Sequence, residues 1–346
     1  MSNHEIAFVE TYDALEDIPP PSAAYQIVGH GKSLDMLLKS AESGHHAIIL
    51  EGQEGIGKAT AAFILAKMKL GASGSFAEGI DRQSSAHRQI AQGANPNLIH
   101  VTRELSVQTK KWKTAISVDQ IRSLQSFFGM TASADHPRIV IVDHVQDMNR
   151  NATNALLKLL EEPPSNTLFL LVSHGAGSIL PTIRSRCQLV RFSPLSAHEV
   201  SQAIIHVTGD MFNTNQANEL AGLSGGSVRH SLVMGLYGGI ELLNAVDAFL
   251  KAEPYDTPTA HRLAAIVSDR KQQTQGLLIQ DMLLASLLSH AKHAAKSGSR
   301  ERAASLALAA QDLVAMRRTD AAYNIDAKQS FLVATQTVHS AIHANK

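Results

Sequence analysis

The sequence has one cysteine, Cys187, one tryptophan, Trp112, few aromatics of any kind, and no surplus of charge in either direction. Each scarcity excludes something. A single cysteine cannot form a disulfide within the chain, which fits a reducing compartment, and a cytoplasmic protein is expected. Lys plus Arg and Asp plus Glu number 31 each, so bulk electrostatics announce neither nucleic acid nor a membrane surface as a partner. Any DNA contact must then be local or made through other chains. No apolar run approaches the ~20 residues that cross a bilayer, so no membrane partner is expected. The opening residues, MSNHEIAFVETYDALEDIPPP, are acidic and lack the pattern of a secretory leader. A length of 346 residues suggests two or three domains.

What the chain does have is a series of short apolar runs alternating with helical patterns. Ala47–Leu50, Leu98–Val101, Ile139–Val142 and Thr167–Val172 read as strands, the middle of the chain continuing into a shorter one at Gln188–Phe192. Between the last three lie a helix at 152–162, with Ala155, Leu156, Leu159 and Leu160 on one face and a Pro163-Pro164 stop, and a short basic turn, Arg184 to Cys187. Strand alternating with helix predicts a parallel sheet whose carboxyl edge collects polar residues, here Asp143, Ser173 and His174.

The first strand runs into a glycine-rich loop that matches the phosphate-cradling pattern at Gly52, Gly57 and Lys58, with an additional Gly55, and then into a helix. Glycines at that spacing let backbone N–H groups converge on phosphate at a helix N-terminus. Magnesium in such a loop takes a hydroxyl from the residue after the lysine, and that residue is Ala59. Thr60 comes one place too late for its hydroxyl to be assumed a substitute.

Elsewhere the chemistry is thin. The stretch from Gly71 to Asn97 is polar and irregular, and His87 is its one residue with transition-metal ligand character, so no metal site is predicted. Lys110, Lys111 and Lys113 flank Trp112, a grouping compatible with stacking and phosphate contact but read more readily as a solvated loop tip between short strands. Cys187 reads as a small buried hydrophobe rather than a nucleophile. Ser117 to Gln120 and Ser196 to Glu199 fit capping boxes.

Taken together, the loop, the strand ending at Asp143, NALLKLLEEPPSNTLFLLVS and ILPTIRSRC closely resemble bacterial DNA polymerase III clamp-loader subunits of the AAA+ superfamily, over roughly residues 25–240. In ATP-hydrolysing members a glutamate orients water at the position of His144, so Ala59 and His144 together place this chain with the non-hydrolysing stator type. The resemblance implies an arginine finger, Arg186 of the Ser185-Arg186-Cys187 motif, presented in trans to a neighbour's ATP. The alternative for Arg186 is an ordinary surface ion pair. By the same resemblance Ser173 holds the sensor-1 position, or merely caps its strand, and Arg229 in GLSGGSVRHSL holds the sensor-2 position, or is a solvated helix residue.

Many members of this family carry a four-cysteine zinc module after the loop's helix. The corresponding region here has no cysteine, and zinc is not expected. The resemblance further implies a fold that is α/β and then all-α: a flexible acidic arm over 1–22, an AAA+ P-loop domain over 23–194, a helical lid over 195–243 and an oligomerising helical collar over 244–346. No cofactor is required on this reading, and ATP or ADP bound without hydrolysis stays open. Expected partners are gamma/tau and delta subunits, with the sliding clamp and primed DNA reached through the complex. The competing reading is an ATP-hydrolysing clamp-loader or other AAA+ motor subunit.

Overall fold

The computed structural model describes residues 11–106, 108–129, 136–175, 179–323 and 325–344, so the first ten residues of the expected arm lie outside it. The chain divides into two compact units, Met1–Ser231 and Leu232–Lys346. The first opens with α1 (Gly31–Glu42), β1 (Ala47–Glu51) and α2 (Lys58–Lys69). A small antiparallel hairpin, β2 (Gly74–Ser75) and β3 (Gly79–Ile80), and α3 (Ser85–Ala91) follow. Then come β4 (Leu98–Val101), α4 (Val118–Gly129), β5 (Arg138–Asp143), α5 (Arg150–Glu161), β6 (Thr167–Ser173), α6 (Pro181–Arg184) and β7 (Gln188–Arg191).

The five longer strands form one parallel sheet in the order β4-β5-β6-β1-β7. Alternate side chains of each strand serve opposite faces. Ile48 and Leu50, Ile139 and Ile141, and Leu168 and Leu170 pack with Leu34 and Leu37 of α1, Phe63 and Ile64 of α2 and Ile90 of α3. Ile49, Val140, Val142, Phe169 and Leu171 pack on the other face with Leu124 of α4, Leu156 of α5 and Ile183 of α6. Burial on both faces explains why these strands read as continuous apolar runs rather than as alternating ones.

Two capping boxes stand where the sequence placed them. Ser117 Oγ accepts the Gln120 N–H while Gln120 Oε1 accepts from Ser117, and Ser196 and Glu199 do the same at α7 (Ala197–Thr208). The stretch expected to be irregular holds α3, because Ser84 caps it by accepting the His87 N–H at 3.2 Å, and Ile80, Ala86 and Ile90 give it buried apolar contacts. A seven-residue helix made by one cap and three small contacts leaves little periodic signal in a sequence.

α7 and α8 (Thr214–Leu223) complete the first unit, up to the start of α9 (Val228–Leu236). The second unit comprises the rest of α9, α10 (Gly239–Lys251), α11 (Thr257–Ser268), the long pair α12 (Gln273–Lys296) and α13 (Arg300–Tyr323), and α14 (Ala327–His343). Ile279, Leu283, Leu287, Leu306, Phe331 and Val338 are its buried residues at helical spacing. No single helix among the described residues is long and apolar enough to cross a membrane.

α2 carries an unusual burden. Lys67 is completely buried, and its ammonium donates to the carbonyl of Ala24, tying the helix to the segment that precedes α1. Burial pushes its pKa down to about 7. The unfolded chain therefore holds a proton that the folded chain has released between about pH 7 and 10.5, so unfolding free energy must rise with pH across that window. Relative to Lys67→Met, the wild type should gain up to ~1.4 kcal/mol per pH unit between pH 7.5 and 10 in urea denaturation.

Candidate nucleotide site and arginine motif

β1 delivers the glycine-rich loop to the carboxyl edge of the sheet, between β6 and β7. Gly57 has φ +103°, a backbone that L side chains rarely adopt. Gly55 has φ +74°, and a Cβ built on it would lie 2.4 Å from Ser227 Oγ and 2.5 Å from Arg229 Cβ. Its glycine is thus demanded by the start of α9. The same contact is sealed by hydrogen bonds, Arg229 N–H to Gly55 O at 3.1 Å and Ser227 Oγ to Glu54 O at 2.9 Å.

Lys58 is buried and turned into the loop. Its Nζ donates to Gln53 O at 2.5 Å and lies 3.2 Å from His174 Nδ1. Burial lowers its pKa to about 8, against the opposing pull of Asp143 and Glu54. Burial, with the charges of His144 and Lys58, pushes His174 down to about 3, so its ring is neutral and accepts from the lysine. Ser173 closes the edge: its backbone carbonyl accepts the Gly52 N–H at 3.2 Å, and its hydroxyl accepts from Gln146 Nε2 at 3.0 Å. Thr60 follows in the first turn of α2, half-buried.

Asp143 is buried at the end of β5. Its two oxygens face imidazoles, Oδ1 at 3.2 Å from His144 Nε2 and Oδ2 at 3.7 Å from His100 Nε2. Burial alone would raise its pKa, but the surrounding histidines outweigh that and hold it below the usual carboxylate range. The same competition runs at His144. Burial works to discharge it, while Asp147 and Asp143 prevail and raise its pKa. Asp147 lies 3.7 Å from His144 Nδ1 and accepts from Arg103 Nε at 2.6 Å. The net result is a chain Asp143, His144, Asp147, Arg103 of alternating sign.

That donor set does not fit magnesium. Ala59 offers no side-chain oxygen, and both carboxylate oxygens of Asp143 face imidazoles, of which His144 is held toward its charged form. Among the described residues there is also no group of three or more His, Cys, Asp or Glu arranged to hold a metal ion. His87, buried within α3, is pushed down to about 4 by burial and by the nearby charges of Lys67 and Arg82.

The arginine motif lies elsewhere. β7 pairs with β1 so that Arg191 is level with Glu51, which puts Ser185, Arg186 and Cys187, just before β7, at the amino edge of the sheet. They stand a strand's length, ~13 Å, from the edge that carries the loop. Arg186 Nη2 meets Glu161 Oε1 at 2.7 Å, and Nη1 donates to Thr182 O at 2.8 Å. Ser185 caps the α6 turn through Thr182 O at 3.0 Å. The Cys187 thiol is pushed up to about 12 by burial, despite Arg186 beside it, so it is not a nucleophile at neutral pH.

Of the residues singled out in the sequence, the fold therefore gathers Gly52, Gly55, Gly57, Lys58, Asp143, Ser173 and Arg229 at one edge and holds Arg186 at the other. The sequence carries no sign of His100, Arg103 or Asp147, which enter only through tertiary contact. Nor did it point to Asp13. The Arg229 guanidinium donates through Nη1 to Asp13 O at 2.5 Å and stands 3.5 Å from Asp13 Oδ2, with Glu54 Oε1 3.9 Å from its Nε. Glu161 was in view as part of LLEEPP, without a partner.

A doubly wound parallel sheet with a phosphate-type loop at its carboxyl edge defines a P-loop α/β protein with a helical extension. Within that class, residues 29–196 match the family described as DNA polymerase III, delta subunit. The chain is 35% identical over 160 residues to DNA polymerase III subunit delta' of Bacillus subtilis, covering 46% of each chain. It is 29% identical over 191 residues to DNA polymerase III subunit gamma of Buchnera aphidicola, covering 54% of this chain and 50% of the other. The chain thus spans about half the length of the curated relatives it matches. A DNA polymerase III gamma subunit-related protein from Thermotoga maritima aligns over 90% of this chain and 99% of its own, at 16% identity and a TM-score of 0.46.

Because Gly55 is fixed by α9 and by its own backbone, Gly55→Ala should destabilise the protein with no nucleotide present. The expected loss is about 1–3 kcal/mol by denaturant unfolding. An unchanged midpoint would show that this glycine answers to phosphate alone.

Proposed function

We propose that this chain is a delta-prime-type stator of a DNA polymerase III clamp loader, a subunit that does not itself hydrolyse ATP and that supplies Arg186 to the nucleotide of a neighbouring subunit. The observation that carries this reading is the separation of the two sites. Arg186 stands at the sheet edge opposite its own loop, where it cannot serve ATP in cis, and it is a third exposed. The homology to delta-prime and gamma subunits supports the same assembly. In this assembly the chain's partners are gamma/tau and delta subunits, with the sliding clamp and primed DNA engaged by the complex.

The catalytic contribution is electrostatic. A guanidinium set against a transferring phosphoryl group stabilises charge that develops on its oxygens, and two parallel N–H donors fix its angle. Glu161 and the Thr182 carbonyl orient the group along the surface until a phosphate replaces the carboxylate. In the chain's own site, His144 takes the electrostatic place of a cation beside Asp143, and no acid follows Asp143 to orient water. The purified chain alone should accordingly show no magnesium-dependent ATP turnover above background in a phosphate-release assay. Clear turnover that Lys58→Ala abolishes would instead establish the motor reading.

In a clamp loader reconstituted from this chain with its partner subunits, Arg186→Ala should lower turnover at the receiving site by about 10³-fold or more. It would be read as loss of that site's share of DNA- and clamp-stimulated phosphate release, after checking that both complexes assemble. Unchanged turnover would reduce Arg186 to a surface ion pair.

A further inference from the structure

The segment ahead of α1 runs past Trp112, Arg103 and Arg229, and its contacts are not those of a free arm. Tyr12 meets the only tryptophan, Trp112, edge to face with ring centroids 6.0 Å apart, and the Arg103 guanidinium lies 4.3 Å above the Tyr12 ring. The next residue, Asp13, turns both its backbone carbonyl and its carboxylate to Arg229, and Thr11 Oγ1 reaches Asp13 Oδ1 at 3.5 Å. At its far end the segment is pinned by the buried Lys67 ammonium on Ala24 O and by Ile80 N–H on Tyr25 O at 2.7 Å. It is therefore a strap held at both ends, with a carboxylate on Arg229, the residue whose backbone N–H is bonded to Gly55 of the glycine-rich loop.

The groups facing Asp13 matter. Arg229 is bonded by its backbone N–H to Gly55, and His144 feels the Asp13 charge from the side of β5. Lys58, the other cation of the loop, is already bonded to Gln53 and His174. The Arg229 guanidinium at the loop's edge is thus shared between two carboxylates, Asp13 of the strap at 3.5 Å and Glu54 of the loop at 3.9 Å.

We propose that residues 11–17 form an intramolecular cover of the P-loop site, in which Asp13 takes the guanidinium that a nucleotide's phosphates would pair, so that nucleotide and strap exclude one another. The inference rests on the loop still being able to hold a nucleotide, and it is independent of whether Arg186 acts in trans. The competition is between anions for one cation. A polyphosphate carries more charge than one carboxylate and accepts the guanidinium fork in two places, but it must also break the Tyr12 contacts with Trp112 and Arg103.

Trp112 makes the exchange visible, because it is the only tryptophan in the chain and its ring touches the strap. The probe is ADP, titrated without magnesium into the full chain and followed by calorimetry and by Trp112 emission. The double variant Tyr12→Ala, Asp13→Asn should bind ADP at least tenfold more tightly than the wild type. Adding Lys58→Ala should remove the gain. In the wild type, Trp112 emission should change with the same midpoint as the calorimetric isotherm, and in the double variant it should stay flat. Equal ADP affinity in wild type and double variant, including no detectable binding by either, overturns the proposal. So does a gain that survives Lys58→Ala, since ADP would then lie outside the loop. None of these results depends on the turnover of a reconstituted complex, so failure here and failure of Arg186 in trans remain separate findings.

Discussion

A carboxylate buried at the end of a parallel strand has to be neutralised, and the choice of counter-charge determines what the edge of the sheet can do. Burying an isolated charge costs far more than a domain's net stability can absorb. At Asp143 the compensation comes from His144 and His100, and His144 is in turn held charged by Asp147, itself tied to Arg103. Sites that use a metal leave such a carboxylate facing an open coordination position. Here the protein's own imidazoles face it, and the residues after Lys58 and after Asp143 are Ala59 and His144.

The persistence of the glycine-rich loop follows from a different constraint. Its glycines are usually explained by phosphate, yet Gly55 lies where any side chain would strike Ser227 and Arg229. The loop is a joint between the α/β domain and the beginning of α9, closed by two backbone-directed hydrogen bonds. Packing therefore requires glycine at this position whether or not a phosphate is bound.

Much of the architecture was legible because burial on both sides of a sheet writes itself into sequence. β1, β5 and β6 were visible as apolar runs and agree with the strands to within a residue or two, and α5 was framed by its apolar face and the prolines after it. The gathering of Lys58, Asp143 and Ser173 could be expected from the carboxyl-edge rule for parallel sheets, whereas Arg229 was placed there only by the family resemblance. What could not be read was whatever depends on a single long-range contact. Asp13 and Arg229 are joined across more than two hundred positions, Tyr12 looked like one residue of an acidic tail, and Trp112 had no assigned neighbour. α3 escaped for the opposite reason, being too short for a period to show. Nothing in the helical pattern singles out Lys67, and only the chain's path past Ala24 makes it a buried lysine.

The pairing of Arg186 with Glu161 has an effect beyond holding a side chain still. An exposed ion pair of this kind contributes at most about 1 kcal/mol, so it is easily opened, yet while closed it cancels the guanidinium's attraction for passing anions. An exposed arginine without such a partner would pair with any phosphate or carboxylate that reached it. Covered by a carboxylate, it responds only to an anion dense enough and well enough placed to displace Glu161, which filters contacts by charge density rather than by shape.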